Sequence, residues 1–308
     1  MGKTKLIINA ILYLIMTSGL LYILIKEDSI SKKMELQRNK FTEKIIKITN
    51  TTKEKVKIII RNIIWLLEFV ISTAVLLIII RIFYIGNFVV PTGSMIPAIM
   101  ENDRLFANMA VYRFRKPAIE DIFLFREPVT NKDLYTKRVM GLPGDKVKIE
   151  NDNLYINNNK ITTRNYSDLG KMRNNTWIVP KKGDKIEIVP KMDYKEYLKN
   201  ANIDVDKIQK HLLDNFYELD RVLPDIETKV NGQPTGMILD FLHDPKSLDK
   251  LMNGETLEII AEEDYYLALG DNTNNSFDSR MWGFVSEDRI KGKPLFRFWP
   301  IRKAGFLK

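Results

Sequence analysis

Residues 63–85 are apolar on every face of any helix they form. Glu68 and Arg81 are their only charges, and both lie towards the ends. A helix in a soluble core keeps one polar side for water, so an all-round apolar run of this length points to a lipid-embedded span. Trp65, Phe83 and Tyr84 suit the headgroup region, which the two charged side chains can also reach. An earlier uncharged run, residues 6–25, is likewise long enough to cross a hydrocarbon core of about 30 Å. Lys3 and Lys5 in front of it would also suit a cleaved signal peptide. Against that, the run exceeds the usual signal core, and Lys26, Glu27 and Asp28 stand where a small-residue cleavage pattern would be. The reading adopted is a retained span.

Charge then sets the domain plan. The formal charge is +9, yet residues 26–62 alone hold eleven Lys/Arg and five Asp/Glu, a net +6. The residues from 63 onward are close to neutral, which speaks against nucleic acid as a partner. A basic segment between two spans belongs in the cytoplasm, so both termini and the large C-terminal part belong outside. The plan is a first transmembrane helix in residues 1–25, a basic cytoplasmic loop in 26–62, a second transmembrane helix in 63–85 and an extracytoplasmic domain in 86–308. The loop reads as a charged amphipathic or partly disordered tether. The chain of 308 residues has no cysteine, which excludes thiol nucleophiles, thiolate metal sites and disulfides.

The C-terminal part is predicted to be mainly antiparallel β. Short alternating runs occur at 104–109, 119–125, 135–140, 146–150, 153–156, 185–188, 258–261, 265–269 and 294–299. A longer polar region at 151–257 interrupts them as a partly helical insertion. It has helical periodicity at 194–220 and room for a short helix at 247–252.

Three blocks carry the chemistry. The first is Val90-Pro91-Thr92-Gly93-Ser94-Met95-Ile96-Pro97, soon after the second span. Its prolines and glycine make irregular backbone that lets amides approach a reacting oxygen. By itself a Gly-Ser-Met triplet is a weak signal, since most such serines sit in turns. A nucleophilic serine needs a base. His211 lies on what reads as a polar helical surface and His243 in a turn. Pro97 rules out a Ser-x-x-Lys arrangement. The second block, Tyr135 to Asp145, offers Lys137 on a strand face shared with Tyr135 and Val139. On pattern alone it also reads as a solvated lysine with a snorkelling stem. The third block, Gly270 to Arg280, reads as a polar turn after a buried strand; the bland reading is a surface turn rich in Asn and Asp.

Together these blocks resemble the conserved boxes of bacterial type I signal peptidases, over residues 88–150 and 264–300. The resemblance implies a signal-peptidase-like β domain and a membrane-bound serine endopeptidase with Ser94 as nucleophile and Lys137 as general base. It implies that Ser276 aims the lysine, that Asp278 and Arg280 pair to hold the loop, and that Arg138 ties Asp271. Thr92 and the Ser94 amide would form the oxyanion hole. Many relatives carry arginine where this chain has Thr273. The implied partners are signal peptides of exported preproteins, with small residues one and three positions before the cut, and the lipid bilayer. Val90, Met95, Ile96, Phe123, Leu124 and Tyr135 would line the substrate site, and serve equally well as core. The implied location is the bacterial inner membrane, multi-pass, with the catalytic domain outside; no cofactor, metal or nucleic acid is expected. To act as base Lys137 must be neutral. A free lysine titrates near 10.4, so burial must lower it by roughly two units, at a cost on the order of 3 kcal/mol.

Two rivals remain. A serine–lysine autopeptidase of the repressor type would need a DNA-binding domain and no spans. A non-enzymatic membrane-anchored β module would have little reason to keep Ser94, Lys137 and Ser276 together.

Overall fold

The computed structural model describes residues 11–307, apart from 12, 13, 16, 20, 23, 24, 174, 203 and 205–224. The expected first span therefore lies largely outside the described residues, as do His211 and most of the helix expected at 194–220. The chain divides into two units, residues 4–86 and residues 87–308.

In the first unit the basic segment is helical rather than a loose tether. Helix α1 spans Glu27–Ile48 and helix α2 spans Glu54–Phe83. Residues 26–62 contain neither Gly nor Pro and are rich in Lys, Glu, Arg and Ile, so nothing breaks a helix until Thr49-Asn50-Thr51-Thr52. Asn50 adopts a left-handed φ of 45°, a conformation common just past a helix end. Arg38 pairs with Glu68 and Arg61 with Glu43, each at 3.2 Å, and Thr42 and Ile46 are buried. Helix α2 thus starts nine residues before the expected span. Among the described residues, Glu54–Arg81 is the one helix long and apolar enough to cross a membrane, and none of its apolar window is buried.

The second unit is mainly antiparallel β. Its strands open with β1 (Ile85–Val89), β2 (Arg104–Asn108), β3 (Ile122–Arg126) and β4 (Leu134–Gly141). The middle of the chain adds β5 (Lys146–Glu150), β6 (Asn153–Ile156), β7 (Asn159–Lys160), β8 (Thr176–Ile178), β9 (Lys185–Val189), β10 (Glu227–Val230), β11 (Gln233–Thr235) and β12 (Leu257–Ile260). The last strands are β13 (Tyr265–Leu269), β14 (Val285–Ser286), β15 (Ile290–Trp299) and β16 (Gly305–Phe306). The main sheet runs β1-β2-β15-β3-β4-β13-β14, with β16 on β15. Two four-stranded sheets, β7-β6-β5-β8 and β11-β10-β9-β12, take up residues 146–260, so the region expected as an insertion at 151–257 shares its sheets with strands on either side of it. Its described helices are short, Tyr194–Asn200 and Pro245–Met252.

Strand β4 lies between two antiparallel neighbours, with Phe123 opposite Lys137 and Leu269 opposite Arg138. Both neighbours are apolar, so the middle of β4 is dry. The segment that carries Ser94 is pinned separately. Val90, Met95, Ile99, Leu105 and Ile122 form a small buried cluster beneath it. The Val90 N–H donates to the Asp103 carbonyl, and Asn102 N–H returns to Val90. Ile99→Ala, at a fully buried site, is expected to destabilise the protein by about 2–5 kcal/mol, whereas Ile99→Leu should cost less than about 1.5 kcal/mol. Chemical unfolding of the detergent-solubilised chain measures both.

Candidate active site

Ser94 sits half-buried in the turn between Val90 and Ile99, where the Ile96 N–H donates to the Gly93 carbonyl at 3.1 Å and the Ile99 N–H to Met95 at 2.9 Å. Lys137 reaches it from β4, with Nζ 2.5 Å from Ser94 Oγ. The lysine is 4% exposed. Its ring neighbour is Tyr135, whose centroid lies 5.8 Å from Nζ. Burial pushes the Lys137 amine down from the usual lysine range to about 8. Asp278 opposes that shift, Arg280 reinforces it, and Asp271 opposes it again. A hydroxyl within hydrogen-bond reach of an amine that is partly neutral near pH 8 is the geometry of an activated nucleophile.

The acids near this amine are all engaged elsewhere. Asp278 and Arg280 are both buried and meet through two bonds, Nε to Oδ1 at 2.9 Å and Nη2 to Oδ2 at 2.8 Å. Asp278 also accepts from the Gly270 N–H at 3.0 Å, and Arg280 Nη1 donates to the Ser167 carbonyl at 2.9 Å. Arg138, next to Lys137 on the opposite face of β4, grips Asp271 with Nε–Oδ1 at 2.8 Å and Nη2–Oδ2 at 2.6 Å. Arg164 adds a bond of 3.0 Å to Asp271 and one of 3.1 Å to Glu120.

Gly270 abuts both Ser276 and Ser94. A Cβ there would overlap Ser276 Oγ and stand 2.6 Å from the Ser94 carbonyl oxygen, so the close approach excludes any side chain. Ser276 Oγ is buried without a hydrogen-bond partner, beside the site but not bonded to Lys137. Thr92 is exposed, with Oγ1 3.4 Å from Ser94 Oγ. Of the residues expected to line a substrate groove, Val90, Met95, Phe123 and Leu124 are buried in the core, and Ile96 and Tyr135 are half-buried. His243 is remote in role: its Nε2–H donates to the Pro128 carbonyl at 2.8 Å. Among the described residues no cluster of His, Asp and Glu is arranged to hold a metal ion.

Asn272 escapes the sequence reading. Its backbone N–H donates to the Ser94 carbonyl and its Nδ2 to the Gly93 carbonyl, each at 3.0 Å. Asn is common in turns, so nothing in the third block sets this one apart from Asn274 or Asn275.

A buried cationic lysine lowers stability. Its pKa is about 8 when folded and 10.5 otherwise, so the unfolded chain binds more protons between those values. The penalty is fully present below pH 8 and fades as pH rises to about 10.5. Lys137→Met is therefore expected to stabilise the chain at pH 7 by on the order of 3 kcal/mol, with a gain that shrinks by pH 10. Unfolding curves at the two pH values check this.

The family model described as signal peptidase, peptidase S26, matches residues 63–299. Signal peptidase IB of Staphylococcus aureus is 30% identical over 241 residues, which cover 77% of this chain and 91% of that protein. Signal peptidase I of Buchnera aphidicola subsp. Schizaphis graminum is 30% identical over 234 residues, 70% of this chain and 68% of its own. A crystal structure of a signal peptidase I from Enterococcus faecalis V583 matches 58% of this chain and 97% of its own, with 22% identity and a TM-score of 0.25.

Proposed function

The chain belongs to the signal peptidase family, peptidase S26, and from that premise we propose that it removes signal peptides from exported preproteins with Ser94 as nucleophile and Lys137 as general base. The observation that carries the mechanism is the 2.5 Å contact between Ser94 Oγ and a buried amine titrating near 8. The neutral Lys137 amine takes the Ser94 proton as Oγ attacks the scissile carbonyl. The ammonium then returns that proton to the leaving amine, and water hydrolyses the acyl-enzyme. The Ser94 N–H and the Thr92 hydroxyl donate to the oxyanion. The Ser276 hydroxyl, buried beside the site with no other hydrogen-bond partner, is the group proposed to aim the amine. Asp278 with Arg280, and Arg138 with Asp271, brace the loop.

The substrate is an extended segment with small residues one and three positions before the cut. Ile96 and Tyr135 are the lining residues with side chains open to it, and Val90, Met95, Phe123 and Leu124 would shape its floor. The protein is proposed to be held in the bacterial inner membrane by two spans, with residues 26–62 in the cytoplasm and residues 86–308 outside. The net +6 of the basic segment and the apolar helix Glu54–Arg81 support this topology.

Ser94→Ala, Lys137→Ala and Lys137→Arg are each expected to lower turnover of a signal-bearing precursor by roughly 10³-fold or more while the chain stays folded. Arginine fails because its guanidinium keeps its proton. Wild-type activity should rise with pH through a midpoint near 8, as the ammonium is lost. Near-native turnover by any of the three variants would sink the dyad.

For the topology, protease added to intact spheroplasts should digest the C-terminal domain. Protection of that domain until lysis would overturn the orientation.

A further inference from the structure

We propose that Asn272 is a positioning residue that aims the Ser94 N–H at the oxyanion. The proposal rests on Ser94 being the nucleophile. The Gly93 carbonyl and the Ser94 N–H belong to one trans, planar peptide unit, so they point in opposite directions and turn together. Whatever holds the Gly93 oxygen therefore sets the direction of the Ser94 N–H. Two donors hold it: the Ile96 N–H from within the turn at 3.1 Å, and Asn272 Nδ2 from across the site at 3.0 Å. The following carbonyl, that of Ser94 itself, accepts from the Asn272 N–H at 3.0 Å. One residue thus grips both peptide units that flank the Ser94 Cα.

The grip matters because glycine at 93 leaves its peptide easy to rotate. Without Asn272 only the turn bond restrains it. Among the described residues the hydrogen bonds include none donated by the Ser94 N–H, so that donor is unspent. Asn272 is itself held through the two residues that precede it. Asp271 is clamped by Arg138 and Arg164, and Gly270 by Asp278. The outcome is an oxyanion donor that is oriented before substrate arrives, which is where such donors gain their effect.

A donor that acts on the oxyanion contributes in the transition state and not in ground-state binding. Full-length wild type, Asn272→Ala and Asn272→Asp would be assayed in detergent on a signal-bearing precursor. The aspartate variant keeps the size but turns an acceptor oxygen towards the Gly93 carbonyl; both variants keep the backbone bond. The expected fall in kcat is about tenfold, a fraction of the ~10² to 10³ lost when an oxyanion donor is removed outright. KM should hold in both variants, and the pH midpoint should hold in Asn272→Ala, which adds no charge near Lys137; the new carboxylate of Asn272→Asp is expected to raise the midpoint. A peptide boronate that bonds Ser94 Oγ into a tetrahedral adduct should weaken by the same factor as kcat. The cleaved signal peptide should bind as before.

Unchanged kcat in both variants would overturn the proposal. So would equal losses of boronate and product affinity, a shifted pH midpoint in Asn272→Ala, or a loss of unfolding stability that accounts for the drop, since each makes Asn272 a general support of the loop. Ser94→Ala, run in parallel, separates the two levels. Turnover that survives in Ser94→Ala removes the nucleophile assignment itself, whereas turnover abolished there but intact in the Asn272 variants removes only this inference.

Discussion

Keeping an amine dry beside a hydroxyl is the constraint on which the rest of this molecule turns. Water would hydrate the Lys137 ammonium and hold its titration near that of a free lysine. The chain prevents this by setting the residue in the middle of a strand with apolar partners on both sides. It must also manage charge. Asp278 alone would draw the proton back onto Lys137, but Arg280 occupies that carboxylate with two bonds and offsets its field. The buried ion pair is thus more than a brace. It allows an acid to anchor the loop without undoing the depression of the amine.

The second requirement is register between segments far apart in sequence. Ser94 comes from a turn fixed by its own small apolar cluster, and Lys137 from the main sheet. The third segment lies at close range against both, beside β4 through β13 and on the Ser94 turn through Gly270. Gly270 makes that possible by giving up its side chain against both Ser94 and Ser276. A pinned turn and a central strand hold the two side chains, and the third segment touches the turn through Gly270 and Asn272.

Much of this is legible in the sequence, and the parts that are not have physical reasons. Strands β2, β5 and β9 alternate cleanly because one face of each meets the core, while β3 and β13 read as short apolar runs because both of their faces are buried. Strands β8 and β11 are only three residues long, too short for a period to register, and β11 contains a proline. The helical state of residues 27–48 is hidden by high charge and the lack of a clear apolar stripe; its order comes from packing against α2 and from pairs such as Arg38 with Glu68. Ser94 and Lys137 stand out through their blocks. Asn272 does not, because its role depends on two carbonyls nearly 180 positions upstream, and no local pattern encodes such a contact. Burial of Val90, Met95, Phe123 and Leu124 was equally open, since apolar side chains on a strand fit a groove or a core alike.

The segment between β7 and β8 has a consequence for anyone wishing to shrink this protein. Thr163 and Arg164 bond Glu120, Arg164 reaches Asp271, the Ser167 carbonyl receives Arg280, and the Lys171 N–H donates back to the Arg280 carbonyl. Tyr166 and Met172 are buried in the common core. The two extra sheets are therefore not a detachable module. A minimal version that excised them at their strand boundaries would also cut out the partners of Glu120, Asp271 and Arg280, and a deletion that spares residues 161–172 has to be stitched around them.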